Sequence, residues 1–202
     1  LVKLGSNLRD CPPFKSEHRP DLAPDQENAW RAAFEAATAA EDRDLETALA
    51  LYRKAEALDN EYALLAYRIA RVLDRLGRRR EALDYYLKAR DEDICPLRII
   101  RPFEEILSTV AEEARIPLVD AATLLAAKSP DAIPGHNWYL DHVHPSIGGH
   151  QKIAQAIAAQ LRDCGMVPDG APWPEEKRRE AYARHLRQLG PRYFSDGERR
   201  IV

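Results

Sequence analysis

A shift of 34 residues lays one stretch of this chain on the next. It places Ala29 on Ala63, Ala32 on Ala66, Ala36 on Ala70, Ala48 on Ala82, Leu49 on Leu83, Tyr52 on Tyr86 and Ala55 on Ala89, and Lys54 with Lys88 and Asp59 with Asp93 extend the match. Between Gln26 and Asp93 there is no proline, and alanine, leucine, arginine and glutamate dominate, all of them good helix formers. Small residues recur where two antiparallel helices must approach closely, and the tyrosines recur where a large ring fills the adjoining hollow. Residues 26–95 therefore read as an all-helical insert of two copies, with a helical bundle of coincidental similarity as the alternative. Two copies are fewer than the roughly three that stand alone, so the pair is expected to pack against the rest of the chain.

The second copy, ALLAYRIARVLDRLGRRREALDYYLKARDED, resembles a tetratricopeptide repeat through Ala70, the turn glycine Gly77 and the Ala82, Tyr86, Ala89 trio. The first copy is looser, with Arg43 at the position of the turn glycine. The resemblance implies a groove able to take a peptide or protein partner.

The flanks have a different texture. Leu1 to Leu8 reads as a strand that runs into the rigid Cys11-Pro12-Pro13 loop, and Ser16 to Asp25 as an extended connector carrying Pro20 and Pro24. A helix starting near Pro102 has an apolar stripe of Ile106, Leu107, Val110 and Ala114. After it come the short strand IPLVDA, a helix from Ala121 to Lys128, a loop, and a helix from His150 to Arg162 that would bury Ile153, Ala154, Ile157, Ala158 and Leu161. Alternation of strand and helix marks an α/β sheet. Helix dominates overall, with residues 1–25 and 96–165 forming parts of the α/β domain and 166–202 a helical tail.

Composition narrows the function classes. The 202 residues carry 30 basic and 33 acidic side chains, a net charge of -3, which gives no global field for nucleic acid. A hydrophobic fraction of 45% supports a globular core, yet no apolar run is long enough for a membrane helix and the first residues lack the regions of a signal peptide, so a cytoplasmic setting is expected. Cys11, Cys95 and Cys164 have neither metal nor redox spacing and read as free thiols. The chain begins at Leu1 and its sole methionine is Met166, which suggests a piece of something longer.

Chemistry concentrates in Asp141-His142-Val143-His144-Pro145-Ser146 and the following Gly148, Gly149 and His150. In nucleophilic catalysis a histidine takes the nucleophile's proton while a carboxylate fixes its tautomer, and Asp141 with His144 has the spacing for that on a turn stiffened by Pro145. YLDHVHPSIGGHQKIAQAIAAQL resembles the last block of the SGNH (GDSL-type) esterase and lipase superfamily, and the whole looks like the C-terminal part of a bacterial member interrupted by the repeats. The resemblance implies a flavodoxin-like sheet, His144 as general base, Asp141 as its orienting acid, no cofactor, and an ester substrate such as an O-acylated carbohydrate or small molecule. The family's G-D-S serine motif is absent from this sequence, which implies a nucleophile upstream of Leu1.

Gly5-Ser6-Asn7 is either a decayed oxyanion block, with Asn7 as donor, or the end of a central strand; Ser6 is the one candidate nucleophile within the chain. Arg98 and Arg101 would face an anionic substrate group or pair with Asp91, Glu92 and Asp93. Trp138 and Tyr139 would stack on substrate or cover the sheet end. Asp120 would either line a site at the strand's carboxyl end or cap the next helix. His136, His142, His144 and His150 invite a metal, but no third ligand at compatible spacing is evident, so none is expected. A second function class stays open, a protein-binding repeat module with an inactive hydrolase-like block.

Overall fold

The computed structural model describes residues 1–167 and 174–193. Two helical hairpins form the largest feature. Helix α1 (Pro24–Ala40) packs on α2 (Leu45–Leu58), α3 (Ala63–Arg75) on α4 (Arg79–Asp91), and α2 against α3. Pro24 opens α1, where its missing N–H costs nothing. Asp44 caps α2 by accepting the amides of Glu46 and Thr47 at 3.0 and 3.2 Å.

The repeat holds in one helix of each hairpin and slips in the other. In α2 and α4 the pairs Ala48 and Ala82, Tyr52 and Tyr86, and Ala55 and Ala89 are all buried, as the shift of 34 requires. In α1, however, Ala29, Ala32 and Ala36 are exposed, whereas Trp30 and Ala37 are buried and Ala33 is half-buried. Those three are the counterparts of buried Ala63, Ala66 and Ala70 at a shift of 33. The two connections also differ. Gly77 adopts a left-handed φ of +76° and closes the α3–α4 turn over residues 76–78, whereas α1 and α2 are joined by residues 41–44 without such a glycine.

Leu8 and Ile133 enter the repeat core, so the pair of hairpins is completed by neighbouring chain. Asp131 adds a polar link, receiving Arg9 at 3.4 Å and also Arg79 at the start of α4.

The sheet is small. Strand β1 (Val2–Lys3) runs parallel to β2 (Val119–Asp120), pairing Val2 with Val119 and Lys3 with Asp120. Both are shorter than the sequence suggests, because the backbone after Leu4 turns to loop partners: Asn7 N–H donates to the His142 carbonyl, and the Leu8 and Arg9 amides donate to Pro134. Helix α5 (Arg101–Glu113) and α6 (Ala121–Ala126) lie beside β1, and a 3-10 turn spans Pro130–Ala132. Asp120 caps α6 through the Thr123 amide at 2.9 Å.

The apolar stripe expected on α5 is not its buried face. Ile106, Val110 and Ala114 are exposed, Leu107 is half-buried, and Ala111 is the buried residue. A two-stranded sheet offers too little apolar surface to cover a full helix stripe. Helix α7 (Ile147–Asp163) shows a similar departure, with Gly149 and Ile153 buried, Ile157 half-buried, and Ala154, Ala158 and Leu161 exposed.

Two compact units emerge, Leu1–Ala156 and Ile157–Val202. The second holds the end of α7, closed at Gly165, and α8 (Glu175–Gln188), which buries none of its residues. The expected tail of 166–202 lies partly outside the described residues. No helix among the described residues is long and apolar enough to cross a membrane.

Candidate functional site

Residues 138–146 form a closed loop. The Ser146 amide donates to the Trp138 carbonyl at 2.7 Å, Tyr139 and Pro145 form an antiparallel bridge, and the Leu140 amide reaches the His144 carbonyl at 2.9 Å. Gly149 is required where α7 leaves this loop, since a Cβ there would stand 2.7 Å from the Trp138 carbonyl oxygen.

Asp141 organises the turn. One carboxylate oxygen accepts the amides of Val143 and His144 at 2.9 and 2.8 Å, and the other meets His144 Nδ1 at 2.7 Å. Partial desolvation works to raise its pKa, but the two amides and the imidazole outweigh it and hold the carboxyl below the usual carboxylate range. With Nδ1 committed to Asp141, His144 Nε2 has no hydrogen-bond partner among the described residues, and the side chain is 74% exposed. Such an imidazole is oriented, electrostatically supported, and open at the nitrogen that would take a proton.

His142, two residues earlier, is held differently. Its ring stacks on Phe14 with centroids 3.9 Å apart, and Nε2 lies 2.9 Å from the Pro12 carbonyl, to which it donates when protonated. Burial is the main influence and pushes its pKa below the ordinary histidine value.

Asn7 meets this loop from the other side and is fully buried. Its amide N–H donates to the His142 carbonyl at 2.9 Å, its side-chain oxygen accepts from Asp10 N–H at 2.9 Å, and its carbonyl accepts from Arg98 at 3.3 Å. Side-chain Nδ2 is buried without a partner, a donor with unspent capacity. Asp10 also accepts the His136 amide at 2.6 Å, a second tie between this segment and the loop.

The remaining sequence candidates separate by burial. Ser6 is 3% exposed with its hydroxyl unbonded, so no hydrogen bond joins it to His144; a nucleophile needs that reach. Arg98 is buried in an ion pair with Asp93 at 3.3 Å, which is the pairing alternative rather than the substrate-facing one. Arg101 pairs with Asp91 at 3.2 Å and borders an open hollow of about 400 Å³ with Lys3, Glu104 and Ser108. Trp138 lies along the start of α7, where a Cβ at Gly148 would sit 3.6 Å from its ring, and therefore covers the helix end. Among the described residues no group of three or more His, Cys, Asp or Glu side chains is placed to hold a metal ion. The three cysteines are unpaired, and burial pushes the Cys11 thiol up to about 11.

No protein-family model, curated protein or solved structure matches this chain.

Sequence reasoning gave Asp93 as a partner for Arg98 but missed its hold on Phe14, and missed Pro12 and Phe14, which meet the His142 ring. The recurrence of Asp59 at Asp93 was the available signal. Each aspartate accepts the amide two residues on, Glu61 at 2.9 Å and Cys95 at 3.1 Å; Asp59 also holds His18 of the connector, and Asp93 the Phe14 and Lys15 amides just before it.

Proposed function

We propose that this chain carries the base half of a serine esterase site of the SGNH type. The observation that carries the reading is His144, anchored at Nδ1 by Asp141 and open at Nε2. The parallel pairing of β1 and β2, with helices alternating along the chain, is compatible with a portion of a flavodoxin-like sheet. In this reading a serine hydroxyl attacks the ester carbonyl and His144 Nε2 takes its proton. The proton then passes to the departing alcohol, and water, deprotonated by the same nitrogen, cleaves the acyl-enzyme. Asp141 stabilises the imidazolium. Asn7, buried beside the loop with an unpartnered Nδ2, is the donor that suits the developing oxyanion. The serine belongs to a G-D-S segment outside this sequence, and the substrate class is an ester or O-acylated carbohydrate. No cofactor takes part in this reaction.

Intact-mass detection of fluorophosphonate labelling tests the reading, on this chain and on the longest native polypeptide that contains it. One labelled serine is expected in the longer polypeptide, with acylation slowed at least about 100-fold in His144→Ala. Labelling absent from the folded longest polypeptide, or unaffected by the variant, would favour the repeat module as a binding protein.

A further inference from the structure

Five residues from four parts of the sequence close into a circuit around the back of the loop. Asp93, just beyond the end of α4, accepts the Phe14 amide at 2.8 Å and the Lys15 amide at 3.0 Å. The Phe14 ring stacks on His142, and the His142 carbonyl accepts the Asn7 amide at 2.9 Å. The Asn7 carbonyl receives Arg98 Nη1 at 3.3 Å, and Arg98 Nη2 returns to Asp93 at 3.3 Å. Arg98 Nη1 also reaches the Cys11 carbonyl at 3.3 Å, so one planar fork spans both ends of the Asn7 to Cys11 segment and the carboxylate.

Both charged members are almost wholly enclosed, with side chains 3% and 1% exposed. Two opposed charges at that depth gain little net stability, because desolvation offsets their attraction; apolar residues of similar size commonly serve as well. What an apolar pair would not supply is direction. Asp93 accepts four donors, and Arg98 ties the Asn7 and Cys11 carbonyls to that carboxylate.

We propose that Asp93 and Arg98 are positioning residues that hold Asn7 and the His142 side of the Asp141–His144 loop in a single geometry, and that through Asp93 they couple the end of the second helical repeat to that site. The assignment deepens the esterase reading and rests on it for its catalytic consequence, but the geometric link is measurable without turnover. A partner that shifts the end of α4 would be felt first at Asp93, then at Phe14 and Asn7, and last at the loop. The groups facing the His142 ring are Phe14, the Pro12 carbonyl, Arg98, Asp141 and Asp93.

The test is side-chain 15N spectroscopy of His142 and His144 across pH, in wild type, Arg98→Lys and Phe14→Leu. Lysine keeps the charge beside Asp93 and cannot span both carbonyls; leucine removes the stack at a position 43% exposed, where folding is safe. Both variants are expected to keep the wild-type far-ultraviolet dichroism, to move the His142 titration midpoint upward toward about 6.5 as its ring becomes solvated, and to broaden or shift the His144 resonances. Where wild type reacts with fluorophosphonate, acylation in Arg98→Lys should fall about 10-fold or more. Folded Arg98→Lys with wild-type His142 and His144 spectra overturns the proposal, and if it fails to fold, Asp93→Asn, which removes the charge and keeps acceptor oxygen for Phe14 and Lys15, is read in the same way. A wild type that never reacts, with the histidine shifts present, would refute the esterase reading and leave the coupling standing.

Discussion

Two histidine and aspartate pairs in this molecule share one contact distance, 2.7 Å between Nδ1 and a carboxylate oxygen, and almost nothing else. Asp59 is buried at the end of the first hairpin, and its other oxygen accepts the Glu61 amide. His18 is 26% exposed, with the rings of Trp30 and Tyr62 each 4.6 Å away, so that the pair ties the connector to the repeat core. Asp141 and His144 stand three residues apart on one turn, and the imidazole is 74% exposed. Pair geometry therefore does not separate a structural clasp from a proton acceptor. Access to the far nitrogen does, and access is a property of the surroundings.

Exchanging the two roles by mutation gives the largest contrast. His144→Ala should slow fluorophosphonate acylation by about 100-fold to 10,000-fold with an unchanged melting temperature. His18→Ala should leave acylation near wild type in native buffer, and a loss of comparable size there would erase the distinction.

Stability should report the converse. His18→Ala leaves the Asp59 carboxylate buried with a missing partner, at an expected cost of about 2 to 3 kcal/mol in urea unfolding. Equal urea midpoints for wild type and His18→Ala would show that the clasp carries no load.

The burial of the first pair depends on which face α1 turns inward, so its register is the next thing to challenge. Ala37→Leu should destabilise by about 1 to 3 kcal/mol through overpacking, and Ala36→Leu by no more than about 0.5 kcal/mol. The reverse order, seen in thermal melts, would restore the uniform shift of 34 residues.

Acid gives the smallest effect. The folded pKa of Asp141 is depressed, so its contribution is complete above the ordinary value of about 3.9 and is lost as pH falls through the lower folded value. The amide resonances of Val143 and His144 should hold steady down to about pH 4 and shift below it. Resonances that stay unchanged below about pH 4 would overturn the assignment of the turn's hold to the Asp141 carboxylate.

Local relations were legible in the chain. Asp141 and His144 are close in sequence, and a turn of that length leaves few alternatives for the carboxylate. The hairpins were legible because buried alanine and tyrosine recur in α2 and α4 at a constant spacing. The slip in α1 was hidden, since a run such as Ala29 to Ala40 is rich enough in alanine to match at either shift. On α5 the pattern misled: of the expected stripe Ile106, Val110 and Ala114 are exposed and Leu107 is half-buried, because the small sheet does not cover it.

The sequence by itself determined the helices of the repeat, the buried alanine and tyrosine spacing of α2 and α4, and the Asp141–His144 turn, because each follows from propensities and contacts a few residues apart. Tertiary structure decided that Ser6 and Arg98 are enclosed, that His144 is open, and that Asp93, Phe14, His142 and Asn7 form one circuit. Those relations join residues as much as 135 positions apart, where no local period operates and only the packing of hairpins, strands and loop fixes which groups meet water.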